Sequence, residues 1–139
     1  MTQLIDDQLL GVVLRGGLPP LADVPVATTG LHYFRLCQAV LASRAVDGVL
    51  SAPFNGLPTD LRQRAMLALI QLPEELQLVS LRDLVPLMGR LRSRHDLNLL
   101  GMELLAASIH LDAEVFLSAP SPRLEAALRS EGRFVELVV

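Results

Sequence analysis

Short apolar runs alternate with longer amphipathic segments along this chain. Continuous apolar runs predict buried strands of a parallel sheet, whereas apolar residues spaced three and four apart predict helices. The predicted strands are residues 3–5, 24–27, 49–50, 76–81, 114–118 and 134–139. The predicted helices are residues 8–15, 30–45, 60–71, 82–94, 96–111 and 122–129. This alternation favours an α/β fold of three layers, α/β/α, with a mainly parallel central sheet.

Three of these segments carry more specific expectations. The segment 96–111 is the clearest helix, because its leucines and alanines follow the spacing of one buried stripe. The run 24–27 lies in a connection rich in proline and glycine and is expected to form a brief edge strand. Pro86 interrupts the segment 82–94, and an interior proline is costly. The helix is therefore expected to begin near Leu84 or Val85, which places Pro86 in its first turn.

Composition is typical of one folded domain that spans residues 1–139. Apolar residues make up 51% of the chain and charged residues 19%, which excludes a disordered protein. The apolar excess favours a homodimer or another homo-oligomer. No run approaches the roughly 20 apolar residues of a membrane span, and Asp6 and Asp7 interrupt the apolar N-terminal stretch. With no secretory signal and a single cysteine, Cys37, the expected location is the cytoplasm.

The charged residues give little general attraction for nucleic acid. The net charge is −3, and all 12 strong bases are arginines. The most basic cluster is Arg90, Arg92 and Arg94, followed by His95. Arg90 and Arg94 are four residues apart and are expected to share a helix face. They are therefore candidates for binding RNA phosphates, or else they complement the end of a helix.

Both ends of the chain resemble a known family. Residues 4–10 form an apolar run that ends in an aspartate before a short helix, residues 97–118 form a helix rich in small residues followed by a strand, and residues 124–139 form a closing helix and strand. These segments, 45 residues in all, resemble the PIN domain family of metal-dependent ribonucleases. That family includes the toxins of many bacterial toxin–antitoxin pairs. The middle of the chain is similar only in the order of its elements.

The resemblance implies a site in which three or four carboxylates hold Mg²⁺ or Mn²⁺. Asp6 matches the first family acid, and Asp60 is the nearest candidate for the second. The third normally opens the late helix, where this chain has Gly101, with Glu103 two residues further on. The fourth follows the late strand, where this chain has Ala119 and Pro120 instead. The resemblance thus implies Asp6 and Glu103 as catalytic metal ligands, with Asp60 as a third possible ligand.

Each of these acids also has an ordinary structural interpretation. Asp6 either holds an ion or caps a helix at a strand end. Glu103 lies seven residues from both Asp96 and His110, so the three share one stripe of the predicted helix. That stripe either borders the carboxyl edge of the sheet, where Glu103 could face Asp6, or forms a polar flank in solvent.

Two functions therefore remain open. The first is a PIN-like protein whose metal site has eroded, and which acts as an interaction or RNA-associated module. The second is a Mg²⁺- or Mn²⁺-dependent ribonuclease of the bacterial toxin–antitoxin type. The expected partners are RNA, an antitoxin-like protein or a second copy of the chain, with no membrane partner.

Overall fold

Five parallel strands form one sheet in the described part of the chain. The computed structural model describes residues 1–42 and 48–138. The strands are β1 Gln3–Ile5, β2 Val26–Thr29, β3 Gln77–Val79, β4 Glu114–Leu117 and β5 Val135–Leu137. The helices are α1 Asp7–Leu14, α2 Gly30–Leu41, α3 Ala52–Asn55, α4 Thr59–Ile70, α5 Leu81–Leu91, α6 Leu99–Leu111 and α7 Pro122–Ser130. The predicted α/β/α fold class, with its parallel sheet, is confirmed.

The strand order, β3-β2-β1-β4-β5, places the first strand at the centre of the sheet. Leu4 of β1 is in register with Ala27 of β2 on one side and with Val115 of β4 on the other. After β1 the chain builds outward through β2 and β3, then returns to the other side of β1 to form β4 and β5. The order therefore reverses between β1 and β4, which is where open α/β sheets bind ligands.

Alternating residues of β1 supply the two cores. Leu4 belongs to the core that includes residues of α5, α6 and α7, whereas Ile5 belongs to the core that includes residues of α1, α2 and α4. α6 is buried at every position from Gly101 to Ser108. A helix that is apolar around its whole circumference belongs inside a protein, and α6 accordingly forms the centre of its layer.

The buried side chain of Gln3 fixes the connection between α1 and β2. Its Nε2 donates to the carbonyl oxygens of Leu21, at 2.7 Å, and Val24, at 2.9 Å. Its Oε1 accepts from the backbone N–H of Leu21 at 2.9 Å. A buried amide that makes three hydrogen bonds is well satisfied. The central strand therefore anchors a loop that has no regular structure of its own.

Two of the predicted strands need correction. The segment predicted as an edge strand over 24–27 is β2, which begins two residues later and pairs with both β1 and β3. The strand continues past the apolar run to Thr28 and Thr29, which are both buried. The Thr28 hydroxyl can be buried because it donates to Ile5 O at 2.9 Å. The segment 49–50 is a turn and not a strand.

The helix boundaries also differ from the prediction at Pro86. α5 begins at Leu81 and contains Pro86 in its interior, so the expected start near Leu84 or Val85 is wrong. Pro86 and Arg82 are both exposed, and solvent can satisfy the Arg82 carbonyl that loses its partner. α2 ends at Leu41. Residues 43–45 of the predicted second helix, and residue 139 of the predicted last strand, lie outside the described residues.

The helices of the described part are all too short or too polar to cross a lipid bilayer.

Candidate functional site

A cavity opens at the carboxyl edge of the sheet, between the ends of β1 and β4. Its volume is about 300 Å³. Its polar lining comes from Asp6, Asp7, Gln8, His32, Arg35, Asn98, Ser118 and Ser121. Most of the remaining lining is apolar and includes leucines from α6, β4 and α7. The cavity therefore lies where the strand order reverses, and it combines an apolar wall with several polar groups, as small-ligand sites do.

Asp6 connects the two strands that border this cavity. Its Oδ1 accepts from the backbone N–H of Leu9 at 3.0 Å, which caps α1. Its Oδ2 accepts from both the backbone N–H and the hydroxyl of Ser118, each at 2.7 Å. Short hydrogen bonds to an ionised carboxylate are the stronger kind. Asp6 thus serves as the predicted helix cap and also holds the end of β4 against the end of β1.

Asp7 is buried and contacts two basic residues of α2. Its Oδ2 lies 3.0 Å from Nη1 of Arg35 and 3.6 Å from Nδ1 of His32. Its backbone N–H donates to Nδ1 of His32 at 3.1 Å. Burial favours a raised pKa for Asp7, but His32, Arg35 and the Gln8 N–H together bring that pKa below its ordinary value.

The Asp7→Asn variant tests these contacts. We expect the free energy of unfolding to fall by about 1–2 kcal/mol near neutral pH, because half-exposed Arg35 loses its charged partner. Since the pKa of folded Asp7 lies below 3.8, the carboxylate stabilises the fold above that pH and loses its effect as the pH falls through the folded value. The difference between wild type and variant in urea unfolding should therefore shrink below pH 3.8.

The matched control is Asp96→Asn. Asp96 is also paired with an arginine, but its side chain is 90% exposed and 3.7 Å from Arg123. Its variant should match the wild type at every pH. A difference for Asp7→Asn that stays constant into acid would contradict the assignment of the ion pair.

Glu103 is fully buried and contacts the start of α2. Its Oε1 accepts from the backbone N–H of Leu31 at 3.0 Å, where a carboxylate complements the helix dipole. Its Oε2 has no hydrogen-bond partner in the described residues. The interpretation as a solvated polar stripe is therefore wrong for Glu103, because α6 is buried on that side. Glu103 lies near the sheet's carboxyl edge but does not line the cavity.

The other predicted residues lie outside the cavity lining. Asp60 is exposed in the first turn of α4. Arg90 is exposed in the last turn of α5. Arg94 follows that helix, because the chain turns where the N–H groups of Arg94 and His95 both bond to Leu91 O. The expectation that Arg90 and Arg94 share a helix face is therefore wrong.

Arg94 also forms an ion pair with Glu131. Its Nη2 lies 2.7 Å from Oε1 of Glu131, and His95 Nε2 lies 3.0 Å from Oε2 of the same residue. The hydrogen bond from Arg94, followed by that with His95, holds the pKa of Glu131 below its ordinary value. Binding of RNA by Arg94 would compete with this pair.

Sequence reasoning missed His32, Arg35 and Ser118. His32 and Arg35 reach Asp7 across 25 and 28 positions of the chain, so no local spacing marks them. Ser118 carried a usable signal, because it is the last residue of the predicted late strand, and the carboxyl ends of parallel strands meet at one edge.

The residues that the resemblance implies do not assemble a divalent-cation site. In residues 1–42 and 48–138, no group of three or more His, Cys, Asp or Glu side chains is arranged to hold a metal ion. Asp6 already accepts three hydrogen bonds, Glu103 binds the start of α2, and Asp60 lies outside the cavity. Mg²⁺ needs octahedral oxygen coordination that includes one or two well-placed carboxylates, and this donor set does not fit it.

In comparisons with known proteins, no protein-family model matches the chain, and no curated protein matches it significantly.

Proposed function

We propose that this chain is a PIN-like domain whose metal site has eroded, and that it acts by binding RNA or a protein partner. The proposal begins from the resemblance of residues 4–10, 97–118 and 124–139. The parallel α/β sheet is of the class that the resemblance implies. A fold alone does not establish an activity, whereas the residues at the cavity bear on the chemistry directly.

The bonding of Asp6 carries the proposal. In the implied ribonuclease this carboxylate would hold the metal, but here it joins α1 to the end of β4 through three hydrogen bonds. Ser118 supplies two of them and occupies the end of the strand after which the family has its fourth acid. A carboxylate saturated by internal donors must give up some of them to bind an ion. The chemistry of the edge therefore favours a structural role for Asp6.

The proposed partners follow from the groups that remain available. Arg90 is exposed and forms no ion pair in the described part of the chain, and arginine binds phosphate oxygens well. An RNA contact would therefore use Arg90 first and Arg94 only after its release from Glu131. An antitoxin-like protein and a second copy of the chain are the protein partners that we propose. The proposed setting is the bacterial cytoplasm.

A specific observation keeps the ribonuclease as the second candidate. Asp6 and Asp7 both line the same cavity, and two neighbouring carboxylates can attract a divalent ion together with its waters. Our proposal and this alternative predict different results for Mn²⁺ binding at the cavity.

Calorimetric titration with Mn²⁺ distinguishes the two candidates. We expect no saturable heat up to millimolar metal, and no metal-dependent cleavage of single-stranded RNA. The Asp6→Asn variant keeps the shape of the side chain but not its charge. It should give the same result as wild type, because we expect Asp6 to hold no metal ion. Saturable binding in wild type that disappears in Asp6→Asn, together with RNA cleavage, would overturn the proposal and support the ribonuclease.

A further inference from the structure

Two buried side chains in the wall of the cavity each have a polar atom without a hydrogen-bond partner in the described part of the chain. Asp7 is 7% exposed, and its Oδ2 accepts no hydrogen bond, although it lies 3.0 Å from Nη1 of Arg35. His32 is 5% exposed and accepts the Asp7 N–H at Nδ1, whereas its Nε2 forms no hydrogen bond in residues 1–42 and 48–138. Both side chains line the cavity. Buried polar groups are normally paired, so we expect a ligand that satisfies these two.

The charges of this wall are largely compensated, which favours an uncharged ligand. Asp7 is paired with Arg35, and Asp6 accepts three hydrogen bonds from Leu9 and Ser118. The two carboxylates would repel an anion, and a cation would compete with Arg35 for Asp7. An uncharged ligand can instead donate to Asp7 Oδ2 and accept from Arg35, whose guanidinium carries five N–H donors. Because these two groups are only 3.0 Å apart, the ligand must carry its donor beside its acceptor.

The apolar part of the lining suits a flat ring. It includes Leu100 and Leu104 of α6 and Leu117 of β4. A sugar or another polyol would place hydroxyl groups against these leucines without hydrogen-bond partners, which is costly. The cavity volume of about 300 Å³ lies at the lower limit of small-ligand sites. Proteins that bind an unpaired base hold its ring against aromatic or apolar side chains and bind its pairing edge by hydrogen bonds.

We propose that this cavity binds one unpaired nucleobase. The pairing edge of a base carries a hydrogen-bond donor next to an acceptor. The base donates to Asp7 Oδ2 and accepts from Arg35, its ring lies against the leucines, and His32 offers a further polar contact at the same wall. The base belongs either to single-stranded RNA or to a free nucleoside. The RNA source rests on the proposed function, whereas the pocket itself does not depend on it.

Calorimetric titration of the full chain with uridine and with adenosine tests the pocket. We expect at least one of them to bind with a dissociation constant of about 0.1–1 mM. The matched ligands are 3-methyluridine and adenosine with a dimethylated amino group, because each keeps the ring but lacks the donor for Asp7. The methylated form should bind about tenfold or more weakly, since the buried carboxylate oxygen then stays unpaired. Ribose 5-phosphate, which has no base, should not bind.

Two variants test the polar wall. Asp7→Asn removes the charge from the acceptor, and Arg35→Ala removes the donor, so each should raise the dissociation constant of the nucleoside about tenfold. The matched control is Asp96→Asn, an exposed acid that pairs with an arginine outside the cavity lining. It should leave nucleoside binding unchanged. Circular dichroism checks that all three variants are folded.

A single-stranded RNA of about eight uridines distinguishes the two sources of the base. RNA that binds about tenfold or more tightly than uridine, and that Asp7→Asn weakens, identifies RNA as the source; equal or weaker binding identifies the free nucleoside.

The base pocket would be wrong if neither nucleoside bound at about 5 mM, if the methylated forms bound equally well, or if ribose 5-phosphate bound as tightly as a nucleoside. RNA binding that needs Arg90 but not Asp7 would also contradict the pocket, and it would leave the proposed function intact.

Discussion

Replacement of Phe54 by alanine should lower the free energy of unfolding by about 3–5 kcal/mol, the usual cost of removing a buried aromatic ring. Phe54 is fully buried although it lies on α3, a helix of only four residues. Its ring packs against α1, where a Cβ on Gly11 would lie 3.4 Å from it, and Arg15 lies over its face at 5.3 Å from the ring centre. Phe54 therefore joins the segment around α3 to α1.

The matched control for this prediction is Phe34→Ala. Phe34 has the same side chain on α2 but is 59% exposed, so its removal should cost less than about 1 kcal/mol. Urea unfolding of both variants, followed by circular dichroism, measures the difference. Equal effects of the two substitutions would show that Phe54 is not the main contact between α3 and α1.

Replacement of Asp6 by alanine should lower the free energy of unfolding by about 2–4 kcal/mol. The variant removes the cap of α1, which is worth about 1 kcal/mol. It also leaves the partly buried N–H and hydroxyl of Ser118 without their acceptor, which costs about 1–3 kcal/mol more. Urea unfolding measures this change in the free energy of unfolding. Whether that free energy falls or rises bears on function. A carboxylate retained for metal binding is a source of strain, and its removal would stabilise the protein.

Two further variants separate the roles of Asp6. Asp6→Ser keeps an acceptor for the α1 cap but is too short to reach Ser118, so it should recover only the capping part. Asp60→Ala removes an exposed first-turn acid of α4 and should cost less than about 1 kcal/mol. If Asp6→Ala were as mild as Asp60→Ala, or if it raised the stability, the structural role of Asp6 would be wrong.

The fold was predictable because its strongest signals are local. The apolar run that ends at Asp6, the buried α6 and the strand after it are continuous in sequence, and each occurs within a few residues of its predicted position. The predicted strand 24–27 omits Thr28 and Thr29 of β2, because polar residues end an apolar run and threonine before a helix is typical of an N-cap. Thr29 does cap α2, through the His32 N–H at 3.4 Å, but it also ends the strand. Thr29 thus belongs to the strand and also caps the helix, whereas a pattern of apolar positions assigns each residue to one element only.

The site was only partly predictable, for a different reason. The position of Asp6 follows from the strand that precedes it, but what its oxygens bind depends on Ser118, 112 positions away. Asp7 likewise owes its lowered pKa to partners on another helix. The hydrogen bond from Leu31 to Glu103 spans 72 positions. Sequence patterns identify carboxylates at an edge, whereas the choice between ligand and structural acceptor is made by tertiary contacts.

The central position of β1 has a consequence for how the chain folds as it is synthesised. β1, β2 and β3 all lie within the first 79 residues, but the other side of β1 must wait for β4 at residues 114–117. Until then the edge of β1 that pairs with β4 has no partner, and parallel pairing over so long a loop is slow. We expect newly made chains to depend on chaperones for longer than helical proteins of equal length.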